Sequence, residues 1–478
     1  MPSASVTMFV MNNCDRDARV LKEARSLTEA GYAVRILAVL DSSTAKYEQR
    51  GGFTIERIAP DPVHHRVLRA ARFLLRLPLQ VARHVRKSIR LLRAGARRFA
   101  GRLVRSLGIR NAAPSPVRTD RWRTLWPFLL PFYGLRLLVR GVKHVIRWLA
   151  IVAYTCLRRL LLLFYRPLAY LDYYYRAYEM VRDQPSDVYH AHDLNTLPVA
   201  WWASRRMKGK LVYDSHEIYT EIQGLGKLER RYFKAIERAL IKRADAVITI
   251  HDSAVDEFVA RYGIPSPAIV RNCPRLRKIR DATTRLRDAT GIDQKDILVL
   301  YQGGFSQYRG LPHLIEAMSH LRSDFKLVMM GWGKIEPQLR EQAARKGMLN
   351  ERVYFVPPVP QDELLEWTAS ADVGVIPYQA VSLNNYLCLP NKLFEYMAAG
   401  LPVAASAFPE LSRVIEGHNM GVTFDPEDPT SIAEGIMRIA MDPDVHARMA
   451  GNARDASLVY NWENEEKSLL RVYGGLKL

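Results

Sequence analysis

A lysine and a glutamate three residues apart, at the start of an amphipathic stretch, are the side chains best placed in this chain to do chemistry. Lys392 and Glu395 lie in Pro390-Asn-Lys-Leu-Phe-Glu-Tyr-Met-Ala-Ala-Gly-Leu-Pro402. Pro390 sets a turn, and Asn391 is placed to cap a helix with its side-chain oxygen. Leu393, Phe394, Met397 and Ala398 recur at helical spacing and predict a buried face. Gly400 and Pro402 end the helix. Free amides at a helix start, beside a lysine, suit phosphate, and Glu395, one turn in, suits the hydroxyls of a sugar diol. The alternative is an ordinary helix with a surface ion pair at i,i+3.

Two further groups could act with it. In Gly303-Gly304-Phe-Ser-Gln-Tyr-Arg309-Gly310, a Gly-rich turn would let backbone approach a phosphate while Arg309 neutralises its charge. The segments Asp187-Val-Tyr-His-Ala-His192-Asp193 and Lys210-Leu-Val-Tyr-Asp214-Ser-His216-Glu217 bring three histidines and their acids to one sheet edge. The spacing His190-x-His192 places both rings on one face. That permits a metal, or two histidines satisfied by loop amides. Near the N-terminus, Asn12, Asn13, Asp15 and Arg19 follow the first apolar run. Arg19 either faces a ligand or pairs with a carboxylate on its own helix.

The elements that must position these residues alternate. Val6–Met11 predicts a strand, Asp17–Ala30 an amphipathic helix stopped by Gly31, and Ala33–Val39 a second strand, a βαβ unit with a parallel sheet. Ligands of such sheets gather at the carboxyl ends of the strands. Phe53–Ile58, Ala246–Ile250 and Ala268–Val270 read as further strands, and Ser253 as the cap of a helix ending at Gly263. Asp296–Gln302 opens a second sheet, continued by Phe325–Met330, Val353–Val356 and Asp372–Pro377. Residues 1–274 therefore form one α/β lobe, 275–293 a linker, 294–455 a second lobe, and 456–478 a closing helix.

The chain has 478 residues and a net charge of +21, with 48% hydrophobic and 25% charged residues, a globular composition. The charge is concentrated. Between residues 64 and 166, 24 lysines and arginines face one acid, Asp120, so the rest of the chain is near neutral. Arg66, Arg69, Arg72 and Arg76 share a helical face, and Arg83 to Arg97 continue the spacing. Trp122, Trp126, Phe132 and Trp148 make the second half more apolar, but Arg147, Arg158 and Arg159 interrupt the ~20 apolar residues that a membrane span needs. A basic amphipathic insertion with almost no acids suits an anionic bilayer surface. Nucleic acid would use the same arginines, but no nucleic-acid-binding signature accompanies them, and no nucleic-acid partner is expected. The four cysteines have no metal or paired spacing, and no basic segment precedes the first apolar run. A reduced, cytoplasmic chain is expected.

The stretch from Pro390 to Pro402 resembles the donor-site signature of the retaining GT-B glycosyltransferases of the GT4 type. The resemblance extends to the glycine turn with Arg-Gly-Leu after it, the run Asp17-Ala-Arg-Val-Leu-Lys-Glu-Ala, and the strand ends at His192 and His216. It implies two Rossmann-like domains facing a cleft. Donor binding would fall to Gly303, Gly304, Arg309, Pro390, Asn391, Lys392, Leu393 and Glu395, with Glu395 on the nucleotide ribose and the turn Pro357–Pro360 against the base. Acceptor binding would fall to Asp15, Arg19, His192, Asp193 and Glu217. His216 would lie beside the reacting sugar carbon, with Arg309 and Lys392 meeting the leaving diphosphate. Three positions depart from the family pattern. Leu387 stands where many relatives carry a sugar-holding glutamate, Gly304 where they carry an arginine, and Arg309 where they carry a lysine.

The resemblance implies transfer of a hexosyl or N-acetylhexosaminyl unit, with retention and without a metal or other cofactor. The donor would be a nucleotide-sugar, UDP-linked in the usual case. Together with the basic insertion it implies a lipid-linked or membrane-associated acceptor at the cytoplasmic face of the cell membrane, feeding an envelope polysaccharide or glycolipid. The alternatives are a nucleotide-sugar epimerase and a non-catalytic membrane adaptor that kept the fold.

Overall fold

The computed structural model describes residues 4–62, 64–71, 73, 145, 148–162, 164–277 and 283–478. Residues 1–59 and 174–478 make one compact unit, and 60–173 make another.

The first lobe of the larger unit opens with β1 (Ser5–Phe9), α1 (Ala18–Glu29), β2 (Ala33–Val39), β3 (Tyr47–Arg50) and β4 (Phe53–Ile58). After the insertion come α2 (Tyr165–Asp183), β5 (Val188–His192), α3 (Leu197–Met207), β6 (Lys210–Asp214), α4 (Lys227–Leu240), β7 (Ala246–Thr249), α5 (Asp252–Tyr262) and β8 (Ala268–Ile269). The eight strands order as β3-β4-β2-β1-β5-β6-β7-β8, all parallel except the β3/β4 hairpin. β3 escapes sequence patterning because it is short and polar. The apolar runs of β1, β2 and β5 are buried on both faces, as a helix-covered parallel sheet requires.

The second lobe runs α6 (Arg285–Thr290), β9 (Ile297–Gly304), α7 (Leu311–Ala317), β10 (Phe325–Trp332), α8 (Glu336–Arg345), β11 (Val353–Val356), α9 (Leu364–Thr368), β12 (Val373–Ile376), α10 (Leu383–Tyr386), α11 (Asn391–Ala398), β13 (Val403–Ser406), α12 (Pro409–Gly417), β14 (Gly421–Phe424), α13 (Pro429–Ala440) and α14 (Pro443–Val459). Its six parallel strands order as β11-β10-β9-β12-β13-β14. The stretch 275–293 contains α6, whose Leu286 enters the second lobe's core, so part of the expected linker is folded.

The last helix, α15 (Trp462–Gly475), returns to the first lobe. Trp462, Leu469 and Tyr473 belong to that lobe's core, and the Trp462 indole donates to Ser26 Oγ at 3.0 Å. The lobes are also clasped beside the cleft. Glu410 at the start of α12 accepts from the backbone N–H of Ser253 at 2.9 Å, and Arg413 pairs with Asp252 at 2.7 Å. Ser253 is therefore not the cap of α5. His251 holds that position, its Nδ1 accepting from Ala254 N–H at 3.0 Å.

In the smaller unit, residues 64–71 and 148–162 are helical. Arg66 and Arg69 share Asp61. The arginines from Arg72 to Arg97 and the aromatics from Trp122 to Tyr133 lie outside the described residues. Among the described residues no single helix is long and apolar enough to cross a membrane, though the pair 148–162 and 165–183, bent by 68°, passes together.

Candidate active site

The donor half is built on α11. Pro390 adopts an extended conformation (φ −75°, ψ 148°) and occupies the cap position, with no side-chain capping bond. Asn391 is therefore the first helical residue rather than the cap, and its side chain lines the cleft cavity. Leu393 points the other way, fully buried in the second lobe's core, and does not line the cavity. The helix turns Lys392 and Glu395 inward instead.

Lys392 is 6% exposed, and its ammonium has no hydrogen-bond partner among the described residues. It sits 3.6 Å from the Tyr301 ring centroid and 5.1 Å from that of Tyr378. Burial and the nearby Arg309 guanidinium hold its pKa well below the ordinary lysine value. Arg309 stacks over the other side of this cage, 4.1 Å from the Tyr378 ring centroid. Two cations thus face one aromatic shelf without a carboxylate bonded to either, an arrangement suited to an incoming polyanion. The Glu395 carboxylate accepts from Gln302 Nε2, whose Oε1 in turn accepts from Thr368 Oγ1 at 2.8 Å. Burial raises the pKa of Glu395.

The Gly303-Gly304 pair is not a turn. It forms the last two rungs of β9, paired with Gly331 and Trp332 of β10. Gly303 has φ +120°, and a Cβ there would lie 3.4 Å from the Lys392 ammonium, so the glycine leaves the lysine its space. Gly304 is open to solvent, with nothing within 4 Å of a Cβ. Gly310 has φ +67°, and a Cβ would lie 1.7 Å from the Pro377 carbonyl oxygen, which fixes the loop that carries Arg309.

The acceptor half collects at the carboxyl ends of β1, β5 and β6. The His190 and His192 rings stack with centroids 4.3 Å apart. Arg19 grips Asp214 with two bonds, Nη2 to Oδ1 at 2.6 Å and Nε to Oδ2 at 3.0 Å, and donates to the Val270 carbonyl at 2.6 Å. It also lies 3.0 Å from Glu23 on its own helix, so the local pair and the long-range one coexist. Ligand atoms of Glu23, His190, His192 and Asp214 fall within 4.8 Å of one another. The Arg19 guanidinium already supplies the positive charge between the two carboxylates. Burial and Asp214 push Glu23 up to about 8.

Arg19 and His216 both reach the cavity. His216 Nε2 lies 3.0 Å from Asp214 Oδ2 and 3.1 Å from His192 Nδ1. Its Nδ1 lies 3.5 Å from Asp193 Oδ2, and its backbone N–H donates to Asp193 Oδ1 at 3.1 Å. Burial works against its charge, but Asp193 and Asp214 outweigh it and push the imidazole up to about 9. His192 and Asp193 stand behind His216 and do not line the cavity. Asp15 does not line it either: it faces Arg50 at 3.7 Å and Arg16 at 3.6 Å. Asp17 takes its place, capping α1 through Val20 N–H and lining the cleft. Its position just ahead of the first amphipathic helix was the available sequence signal.

The two halves enclose a cavity of about 660 Å³. Pro358 and Val359 form part of its wall. Sequence reasoning also missed Gln302, Tyr378 and Asn384, which line it. Asn384 joins the lobes: Ile218 N–H donates to its Oδ1 at 2.9 Å, and its Nδ2 donates to Glu217 Oε2 at 3.0 Å.

With this geometry in place, the relatives are informative. Residues 296–442 match the family of glycosyl transferases group 1, and 155–274 match the glycosyl transferase 4-like domain. A D-inositol 3-phosphate glycosyltransferase of Xylanimonas cellulosilytica is 26% identical over 303 residues, 60% of this chain and 71% of the relative. Anabaena HepE in complex with UDP-glucose superposes with a TM-score of 0.65 at 14% identity, over 99% of this chain and 100% of that one. Sucrose-phosphate synthase from Thermosynechococcus elongatus gives 0.62 at 16% identity, over 99% and 98%. Two parallel-sheet α/β lobes about a cleft are the GT-B architecture. The chain is a glycosyltransferase of that fold, similar over these two segments to the group 1 and GT4-like families.

Proposed function

We propose that the chain transfers a hexosyl or N-acetylhexosaminyl unit, with retention, from a UDP-linked donor to a lipid-linked acceptor at the cytoplasmic face of the membrane. The observation that carries the donor half is the pair of cations, Lys392 and Arg309, facing the cavity beside Glu395. Glu395 takes the ribose, Lys392 and Arg309 take the diphosphate, and the departing phosphate accepts the acceptor's proton while His216 holds the sugar end. Stabilisation of the leaving charge then needs no metal. Anabaena HepE is described with UDP-glucose bound, which supports the choice of base. The filled set of cavity groups argues against an adaptor with an emptied pocket. An epimerase would have no use for the acceptor side, where the first lobe presents His216 to the same cavity.

A thermal-shift panel with UDP, GDP, ADP and their sugar conjugates tests this. A ligand at ~100 times its dissociation constant adds ~2.7 kcal/mol of stability. The expected result is a shift with UDP and its conjugates that is lost in Glu395→Ala. A shift with GDP or ADP alone would overturn the choice of base, and no shift with any would overturn the donor site.

The membrane half rests on the net charge of residues 64–166 and on the exposure of Trp148, Leu149, Ile151, Leu160 and Leu162 along one described helix. Arg158 and Arg159 lie among them. The protein is expected to sediment with anionic vesicles at low salt, less at high salt, and not with neutral ones. Failure to bind either would remove the membrane from the reading.

A further inference from the structure

We propose that Glu217 of the first lobe and Asn384 of the second form a clamp that selects the sugar ring of the donor as a neutral hexose. The inference rests on the donor reading above and deepens it.

In the cavity, Glu395, Lys392 and Arg309 account for the nucleotide and diphosphate. The ring must then lie between Arg309 and His216. Leu387 offers that space no polar atom and does not line the cavity. Among the polar groups that do, beside Asp17 and Arg19, are Glu217, Asn384 and Asn385. Asn384 is held from both ends. It sits on the one-turn helix α10, which Ser382 caps through Asn385 N–H at 3.2 Å. Its amide oxygen is taken by Ile218 N–H, which orients its NH2 toward Glu217. One Glu217 oxygen receives that NH2. The other, Oε1, has no bonded partner among the described residues, and the side chain faces the cavity.

A fixed amide beside a carboxyl with a spare oxygen is a donor–acceptor pair of the kind that reads ring hydroxyls. Burial and then Asp193 push Glu217 up to about 7, opposed by Asn384, His216 and Arg309. Near neutral pH the group therefore both accepts and donates. The same carboxyl sets a charge preference. A hexuronate would place a second carboxylate next to Glu217 and near Asp193, where like charges are costly. A carboxylate supplied from the opposite lobe thus stands in for the glutamate absent at position 387.

The test is titration calorimetry of wild type, Glu217→Gln and Asn384→Ala with UDP, UDP-glucose, UDP-N-acetylglucosamine and UDP-glucuronate. Glu217→Gln is close to isosteric and keeps a partner for Asn384, and UDP affinity reports that each variant retains its folded donor site. Wild type is expected to prefer at least one neutral conjugate over UDP-glucuronate by about tenfold or more, and Glu217→Gln to reduce that ratio to about threefold or less, since like-charge repulsion equivalent to one pKa unit is a tenfold effect. UDP itself should bind all three proteins within about twofold, because the clamp touches only the ring. An unchanged ratio in Glu217→Gln would overturn the clamp while leaving the donor site standing. Loss of UDP binding in that variant would also overturn it, by placing Glu217 on the nucleotide. Failure of wild type to bind any of the four ligands would overturn the UDP reading and the clamp with it.

Discussion

Replacing Lys392 with methionine is expected to raise the melting temperature of the ligand-free protein by a few degrees while lowering kcat/KM by about 10²–10³. The opposite signs follow from one geometry. The ammonium is buried against Tyr301 and Tyr378 with no hydrogen bond, so its charged form is poorly solvated and methionine fills the same volume without that cost. Its depressed pKa means that the folded side chain gives up its proton at lower pH than the unfolded one. Folding then releases a proton, and this residue's contribution to stability rises with pH up to the unfolded lysine value near ~10.4. Methionine removes that slope. A bound diphosphate reverses the balance by favouring the ammonium, so binding should take up a proton. Calorimetry in buffers of different ionisation enthalpy reads that uptake directly, and it should vanish in the variant. Proton-neutral binding by wild type, or full turnover by Lys392→Met, would remove Lys392 from the donor site.

The second large effect is at His216. Its replacement by alanine is expected to lower kcat by about 10²–10³ with little change in donor affinity. The pH profile separates a charged positioning role from that of a base. With Asp193 and Asp214 holding it at about 9, the imidazole is an imidazolium at neutral pH and cannot accept the acceptor's proton there. Activity should persist down through neutral pH and fall as the pH rises through about 9. A base would give the reverse, a rise with pH. The stability it contributes follows the same window: the folded pKa is raised, so the contribution is complete below ~6.5 and is lost through about 9. Asp193→Asn should move the alkaline fall to lower pH. A profile that rises between pH 7 and 10, or undiminished kcat in His216→Ala, would overturn the assignment.

What could be read from the sequence was the alternation of apolar runs with amphipathic ones, because parallel strands and covering helices write different periods into the chain. Lys392, Glu395, Arg309 and His216, which line the cavity, were singled out by their places at element ends together with the family resemblance; for His216 the local pattern alone did not suffice. Side chains whose partners are remote were not. Asn384 and Glu217 meet across 167 positions, and His190 and Tyr473 across 283. No local spacing encodes such pairs. Leu393 was assigned to the donor by the resemblance to the family motif, although its apolar spacing already put it on the buried face of α11, where the structure places it. Asn391 and Ser253 were each read as caps by residue type. Backbone conformation instead gave those positions to Pro390, whose ring already favours the extended entry, and to His251, whose ring nitrogen reaches the orphan amide.

The return of α15 to the first lobe has a consequence for the order in which the protein can be made. Trp462, Leu469, Tyr473 and Leu476 complete a core whose other members lie between residues 6 and 270, and Tyr473 is hydrogen-bonded to His190 in the middle of that sheet at 2.7 Å. The lobe that leaves the ribosome first therefore has an unsealed apolar seam until nearly the whole chain has followed it. The second lobe, whose core is continuous in sequence from Cys273 to Ala456, has no such wait. During synthesis the later lobe can reach its final packing before the earlier one, which α15 closes only after the second lobe has been made.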